Sequence, residues 1–304
     1  MNISKLTLGT AQLGSVYGIA NKTGKPDTEG AAEILKTAVS KGINTFDTAY
    51  MYGDSEEVIG AFLTSRSGGG QAPNIISKLP KIELAENTGF DGVYAVVKEY
   101  VTTSLERLHL RSIPIYMMHS ALNLDSHNGN VVKSLIRLRD EGLIEKAGVS
   151  VYHPREAERA LEFSALEAVQ IMLNVLDHRF LAKELLPRLA AEKTVFVRSV
   201  FLQGLFFLED GELPANLKGA AGYLKKLKSL SEEEGKGIDE IAMGFVAGFR
   251  EVDSMVIGAE SAEQVLRNAE LLDRAKISDD LRGRIMEVFS GVPEEIVVPY
   301  MWNA

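Results

Sequence analysis

Four residues able to move or steer a proton fall at comparable places in this chain: Asp47, Tyr52, Lys78 and His119. Asp47 follows the apolar run Ile43 to Phe46, and Tyr52 stands on a small-residue loop within NTFDTAYMYGDSEE. Lys78 ends the run from Ile75, and His119 ends the run from Ile113. A tyrosine is a poor acid near neutral pH unless a cation stabilises its phenolate, which Lys78 can do. A lysine held at that depth needs a counter-charge, and Asp47 supplies one. His119 can donate a hydrogen bond to a carbonyl oxygen and orient it. Such a set would protonate an oxyanion as it forms when a hydride reaches a carbonyl carbon. Each residue alone has a plainer reading: a turn Asp, a packed Tyr, a surface Lys, a satisfied core His. Their arrival at three successive strand ends favours the chemical one.

The elements that must position them are legible as alternation. Short apolar runs lie at Leu6 to Gly9, Ile43 to Phe46, Ile75 to Lys78 and Ile113 to His119, then at Ala147 to Val151, Ala168 to Leu173, Val195 to Val200 and Met255 to Gly258. Amphipathic stretches with recognisable starts separate them. Thr28 precedes EGAAEILKTAVSKG with Gly42 as its stop, and Asp54 or Ser55 caps EEVIGAFL. Asp91 opens a stretch to Leu108, Asn128 to Asp140 ends at Gly142, and Pro154 sits where a first helical turn tolerates it. Ile238 to Phe249 and Ser261 to Leu272 complete the set. Eight strand–helix units predict a closed (β/α)8 TIM barrel as one domain over residues 1–304. A doubly wound sheet competes, but no GxGxxG follows the first run. Two segments exceed the minimal barrel. One is a long loop-helix insertion after strand 7, Phe201 to Glu234, with a Lys-rich helix from Leu217; the other is a C-terminal helix and tail from Ser278. SRSGGG at Ser65 to Gly70 reads as a flexible helix-to-strand loop.

Bulk properties narrow the partners. A net charge of -9 over 304 residues argues against a nucleic-acid or anionic-membrane surface. No apolar run approaches bilayer length, and the start MNISKLTLGTAQLG lacks the apolar core of a signal peptide. With no cysteine there is no disulfide, thiolate nucleophile or thiolate metal site. The five histidines lack HExxH spacing, so no metal is expected. The expectation is a cytoplasmic protein acting on a small molecule, its oligomeric state unread.

FDTAYMYGDSEEVIG, the lysine in IISKLP and the histidine in YMMHS together resemble the aldo-keto reductases, from LGTAQLG to the helix ending near Leu272. The resemblance implies a (β/α)8 barrel using NADPH, less often NADH, without metal or flavin. It assigns catalysis to Asp47, Tyr52, Lys78 and His119, with Tyr52 as general acid reducing an aldehyde or ketone. It also places Gly9, Thr10 and Asp47 beside the cofactor, and Ser150 and Gln170 at the nicotinamide amide, with Val151 where the family usually has Asn. In RSVFLQGL, Arg198 stands where relatives stack an aromatic ring on the nicotinamide. A planar guanidinium stacks too, and its charge should favour the reduced cofactor. Ser199, Leu202 and Gly204 fit a loop approaching the pyrophosphate. Gly258 and Ala259 fit a tight turn into a helix capped by Ser261, whose Gln264 and Asn268 share a face toward the adenosine. Read without the resemblance, GAES is simply a capped turn and Gln170 with Asn174 a hydrogen-bonded polar pair. Glu260 and Gln264 replace basic residues found in relatives, which weakens the expected preference for NADPH and leaves NADH open.

For the substrate, Tyr17, Tyr52, His119 and Trp302 are the expected contacts, with Tyr50, Met51 and Tyr152 at the rim. Trp302 equally suits an anchor for the C-terminus. Asn123 and His153 near the mouth would suit a polar carbonyl such as a sugar aldehyde. Asp177, His178 and Arg179 read as structural ion-pair partners. Two other classes stay open: a nicotinamide-binding redox sensor with slow turnover, and a barrel hydrolase or lyase that binds no nucleotide.

Overall fold

The computed structural model describes residues 1–66 and 71–303. Eight parallel strands close into one barrel in chain order, with β8 paired back on β1. They are β1 (Leu6–Gly9), β2 (Thr45–Asp47), β3 (Asn74–Leu79), β4 (Ile113–Met118), β5 (Ile144–Ser150), β6 (Leu166–Met172), β7 (Thr194–Arg198) and β8 (Ser254–Gly258). The helices packed around them are α1 (Thr28–Ser40), α2 (Ser55–Ser65), α3 (Phe90–Leu108), α4 (Ser126–Asp140), α5 (Pro154–Leu161), α6 (Leu185–Ala190), α7 (Ala221–Glu234), α8 (Ile238–Ala247), α9 (Ala262–Arg274) and α10 (Asp279–Val288). Of the loop expected over Ser65 to Gly70, residues 67–70 lie outside the described ones. No described helix is long and apolar enough to cross a membrane.

The two-residue period of a strand sorts side chains between two cores. Residues such as Leu8, Phe46, Ile75, Leu79 and Val169 face the helices. Ile76, Ile115, Met117, Ala168 and Phe196 fill the barrel with Ile3 and Val256. Thr7 and Ser254 share a buried hydroxyl hydrogen bond of 2.7 Å between β1 and β8. Two residues beyond these interior positions come Gly9, Lys78, His119, Gln170, Arg198 and Gly258. Each therefore belongs to the top interior layer, at the C-terminal ends of the strands. Register agrees: Gly9 is level with both Asp47 and Gly258, and Ser150 is level with Gln170. One periodicity both fills the core and lifts one polar or small residue per strand into the mouth.

Several boundaries move for local reasons. β2 is three residues long, starting at Thr45 rather than Ile43 and ending at Asp47 as expected. Asp27, not Thr28, caps α1, accepting from Gly30 N at 2.8 Å. Asp54 makes no cap bond and pairs with Lys25, while Ser55 turns inward. His127, Asn128 and Gly129 are all left-handed, so regular helical geometry in α4 starts only at Asn130. The helix expected from Leu217 begins as a 3-10 segment over Ala215–Ala220 before α7.

Candidate active site

Asp47 and Lys78 meet at the top of the barrel. Lys78 Nζ donates to Asp47 Oδ1 at 2.8 Å, to Oδ2 at 2.7 Å and to Thr48 O at 2.9 Å, which uses all three of its N–H donors. Both side chains are buried, Lys78 completely. Burial lowers the lysine's pKa, opposed by the Asp47 carboxylate. Asp47 Oδ1 also accepts from Gln170 Nε2 at 2.8 Å, and Ser150 Oγ donates to Gln170 Oε1 at 3.4 Å. Four strand ends are thus joined in one buried chain of polar contacts.

Tyr52 closes over this pair. Lys78 Nζ lies 5.2 Å from its ring centroid, and the His119 ring meets it edge-on with centroids 5.5 Å apart. The Tyr52 hydroxyl makes no hydrogen bond to a described residue, so it is free to face a substrate oxygen. Burial and then the Asp47 charge push its pKa well above that of a free phenol, while Arg198 pulls it down. Burial, followed by the Lys78 and Arg198 charges, lowers the His119 pKa to about 3, so its ring is neutral across the physiological range. A neutral imidazole keeps one N–H to offer a carbonyl.

The loop that carries Tyr52 is fixed by close backbone approach and buried hydroxyls. Gly14 ends a helical turn, Ala11–Gly14, and a Cβ there would overlap the Tyr52 carbonyl oxygen. Gly53, at φ +56, faces Gly14 with as little room. Ser55 Oγ donates to Thr10 O at 2.9 Å, and the Thr48 hydroxyl lies 3.0 Å away. Glu56 is buried behind the loop, accepting from Ser77 Oγ at 2.5 Å and pairing with Arg107 at 3.3 Å. Arg107 in turn sits over the Tyr50 ring at 4.4 Å. Sequence reasoning missed this Glu56–Arg107 support, because its two halves lie on different helices.

A cavity of about 780 Å³ runs from Tyr52 across the mouth to α9 and the insertion. Gly9, Thr10, Tyr17, Asp47, Tyr52, Gln170, Arg198, Ser199, Gly204, Gly258, Gln264 and Asn268 all line it. The remaining expected positions do not. Lys78 lies beneath Asp47, His119 lies against Tyr52, and Ser150 lies behind Gln170. Leu202 and Ala259 are buried in the helix-facing core. Ser261 caps α9 through Gln264 N. Trp302 is a correction of placement: its indole is buried and donates to Ile296 O at 3.2 Å, so it anchors the tail rather than closing the cavity. Of the tail, Tyr300 meets Tyr152 edge-on with ring centroids 4.7 Å apart. Among residues not foreseen, Gln12, Gln203, Phe207, Lys228, Arg267 and Arg274 also line the cavity.

Arg198 is the cavity cation whose charge acts on Tyr52 and His119. Its guanidinium lies 4.1 Å from the Tyr152 ring centroid and donates to Val151 O at 3.3 Å, with no carboxylate paired to it among the described residues. The loop after β1 spans the cavity: Gln203 Nε2 donates to Tyr17 Oη at 3.1 Å, Lys22 pairs with Glu212 at 2.6 Å, and Thr23 Oγ1 donates to Glu260 at 3.1 Å. Asn174 is turned away, donating to Ser199 O and accepting from Leu176 N and Asp177 N. Asp177 pairs with Arg179 at 2.8 Å, and Arg179 pairs with Glu294 of the tail at 2.6 Å.

The donor set fits a dinucleotide. Gly204, at φ +89, would set a Cβ 2.5 Å from the Ala20 Cβ, and Gly258 lies against the Gln12 side-chain amide, so both glycines bring backbone to the cavity wall. Gly258, Glu260, Gln264 and Asn268 around the start of α9 line one part of the cavity, and Asp47, Gln170 and Arg198 at the strand ends line another.

Comparison with known proteins agrees. The family model described as "Aldo/keto reductase family" matches residues 5–289. An uncharacterised oxidoreductase, YqkF of Bacillus subtilis, is 23% identical, covering 92% of this chain and 90% of its own. The L-galactose dehydrogenase of Arabidopsis thaliana is 25% identical over 88% of this chain and 84% of its own. The holo structure of the aldo-keto reductase AKR11C1 from Bacillus halodurans superposes with a TM-score of 0.75 at 22% identity, covering 97% and 95% of the two chains. That likeness shows the shared fold.

Proposed function

The chain belongs to the aldo/keto reductase family, and from that premise we propose that it is an NADPH-preferring carbonyl reductase with Tyr52 as general acid. It is an NAD(P)H-dependent oxidoreductase acting, on this reading, on a small-molecule aldehyde or ketone in the cytoplasm. The observation that carries the proposal is the free Tyr52 hydroxyl above the buried Asp47–Lys78 pair, beside a neutral His119.

Asp47, Gln170, Ser150 and Arg198 would hold the nicotinamide end, and Gly258, Gln264 and Asn268 the adenosine end. When bound, the reduced nicotinamide supplies the hydride for the carbonyl carbon. Tyr52 gives its proton to the carbonyl oxygen as negative charge develops there. The Lys78 charge, 5.2 Å from the ring, lowers the cost of the phenolate left behind. His119 orients the carbonyl by donating from its neutral ring. Preference for NADPH rests on Lys228, Arg267 and Arg274, which line the cavity together with Glu232, Asp239 and Glu260.

The test is consumption of NADPH and NADH with a panel of aldehydes by wild type and Tyr52→Phe. Turnover by wild type that falls about 10²- to 10⁴-fold in the variant supports the reading. Nucleotide binding without turnover of any carbonyl would favour the sensor instead. Absence of nucleotide binding would remove the reductase reading.

A further inference from the structure

We propose that Tyr152 and Tyr300 are positioning residues for Arg198, so that the C-terminal tail sets how far the cavity discriminates the reduced cofactor from the oxidised one. This rests on the reductase reading of the same site.

Few contacts fix Arg198, which lines the cavity at the end of β7. Among the described residues it pairs with no carboxylate, and its one hydrogen bond goes to Val151 O at 3.3 Å. A long side chain with a single such bond keeps much of its rotamer freedom. What remains to hold it is the Tyr152 ring, whose centroid lies 4.1 Å from the guanidinium carbon. Cation and ring attract one another, most strongly in a desolvated site.

Tyr152 is in turn held through its main chain and through its ring. Its backbone N–H donates to Glu156 Oε2 at 2.7 Å, and the same carboxylate oxygen accepts from His153 N at 3.0 Å at the start of α5. The Tyr152 hydroxyl makes no hydrogen bond to a described residue, so ring contacts set its tilt. One of these is Tyr300 of the tail, edge-on with centroids 4.7 Å apart and planes at 88°, an arrangement that aromatic pairs favour.

Tyr300 is 51% exposed, yet its place is fixed. Its Oη lies 2.9 Å from His153 Nε2. Ahead of it in the tail, Glu294 lies 3.3 Å from His153 Nδ1 and pairs with Arg179 at 2.6 Å, and Arg179 pairs with the buried Asp177 at 2.8 Å. Behind it, the Trp302 indole donates to Ile296 O at 3.2 Å. A ring this open to water adds little to the core, so its role lies in what it touches. Contacts therefore run from the buried Asp177, through the tail, to the guanidinium in the cavity.

The charge at the end of that run acts on Tyr52 and His119, so it belongs to the reacting end of the cavity. The adenosine half of the cofactor is the same in both redox states, and only the nicotinamide becomes positive on oxidation. A fixed guanidinium repels that positive ring and leaves the reduced one alone, whereas a guanidinium free to swing toward water repels less. Loosening the tail thus changes the ratio of the two affinities, while a general loss of shape weakens both alike.

The experiment is fluorescence titration of the full chain with NADP⁺ and with NADPH, for wild type, Tyr152→Leu, Tyr300→Leu, Arg198→Tyr and the double variant Arg198→Tyr with Tyr300→Leu. The proposal expects the ratio of dissociation constants, NADP⁺ over NADPH, to fall about threefold in Tyr152→Leu and about twofold in Tyr300→Leu. On the Arg198→Tyr background, Tyr300→Leu should leave the ratio unchanged, because the charge it positions is gone. A fall of the same size on both backgrounds means that the tail acts by another route and overturns the proposal. An unchanged ratio in either leucine variant overturns it too, including the case in which both dissociation constants rise by one factor. If Arg198→Tyr alone leaves the ratio unchanged, the cation lies away from the nicotinamide and the proposal falls, while turnover of an aldehyde still keeps the reductase reading. If neither nucleotide binds, that reading falls and this proposal with it.

Discussion

Lys78 reaches Tyr52 through the face of its ring, at 5.2 Å from the centroid, and not through the phenolic oxygen. Its N–H donors go to Asp47 and Thr48 instead. The lysine therefore acts on the proposed acid as a fixed charge, and Asp47 is what keeps that charge in place. This separates two functions that a hydrogen bond would have merged: holding the cation and stabilising the phenolate.

The first consequence concerns stability. Lys78→Met leaves the Asp47 carboxylate buried without its partner, which should cost about 3–5 kcal/mol in urea unfolding. Asp47→Asn combined with Lys78→Met removes both charges and should recover much of that loss. A double variant as unstable as the single one would show that the pair's charges are not what matters.

A second prediction follows from Gly14. A Cβ at this position would overlap the Tyr52 carbonyl oxygen and lie 2.7 Å from Ser55 N, both backbone atoms that cannot swing away. Gly14→Ala should destabilise by at least the 1–3 kcal/mol typical of overpacking. It should also lower kcat/KM by about 10²-fold, because the Tyr52 loop shifts. Gly222→Ala, with nothing near its Cβ, is the control and should gain up to about 1 kcal/mol. Equal effects from the two substitutions would remove the role assigned to the Gly14 contact.

These two cases show what the sequence made legible. Asp47, Lys78, His119 and Arg198 were readable because polar residues ending apolar runs stand out, and a strand's two-residue period aims them inward. The placement of Tyr52 was readable only as adjacency to Asp47. Its actual support comes from Gly14, on the loop after β1, and no local pattern reports a contact across that separation. Trp302 shows an undecided case: as the sole tryptophan in a tail it suited a lid or an anchor equally, and its N–H to Ile296 O selects the anchor. Lys228 and Arg274 went unseen because the Lys-rich helix was read only as part of an insertion, and Arg274 lies beyond the helix end expected near Leu272.

A third prediction uses His119. Its folded pKa of about 3 lies below the ordinary value of 6.5, so the unfolded chain takes up the proton first as pH falls. The stability it contributes is complete above pH 6.5 and is lost between 6.5 and 3, at about 1.4 kcal/mol per pH unit. Between pH 7.5 and 5.0, wild type should therefore lose about 2 kcal/mol more than His119→Gln in urea unfolding. A pH-independent difference would mean that the ring titrates normally in the folded state.

The last prediction concerns Arg198, the cavity cation whose charge acts on Tyr52 and His119 and which has no paired carboxylate among the described residues. Held at 4.1 Å from the Tyr152 ring and bonded to Val151 O, it cannot readily retreat when a nicotinamide enters. An oxidised nicotinamide is positively charged and a reduced one is neutral, so only the oxidised form is repelled. Two unit charges about 5 Å apart at an effective dielectric constant of about 20 repel by about 3 kcal/mol, and mobile ions reduce this. Arg198→Tyr keeps a planar surface for stacking and removes the charge. The ratio of the dissociation constants for NADP⁺ and NADPH, measured by fluorescence titration, should then fall roughly tenfold, about 1.4 kcal/mol. Raising the salt concentration should narrow the wild-type ratio toward that of the variant. An unchanged ratio would place the guanidinium away from the ring, and Arg198 would then act on Tyr52 and His119 alone, whose pKa values it also lowers.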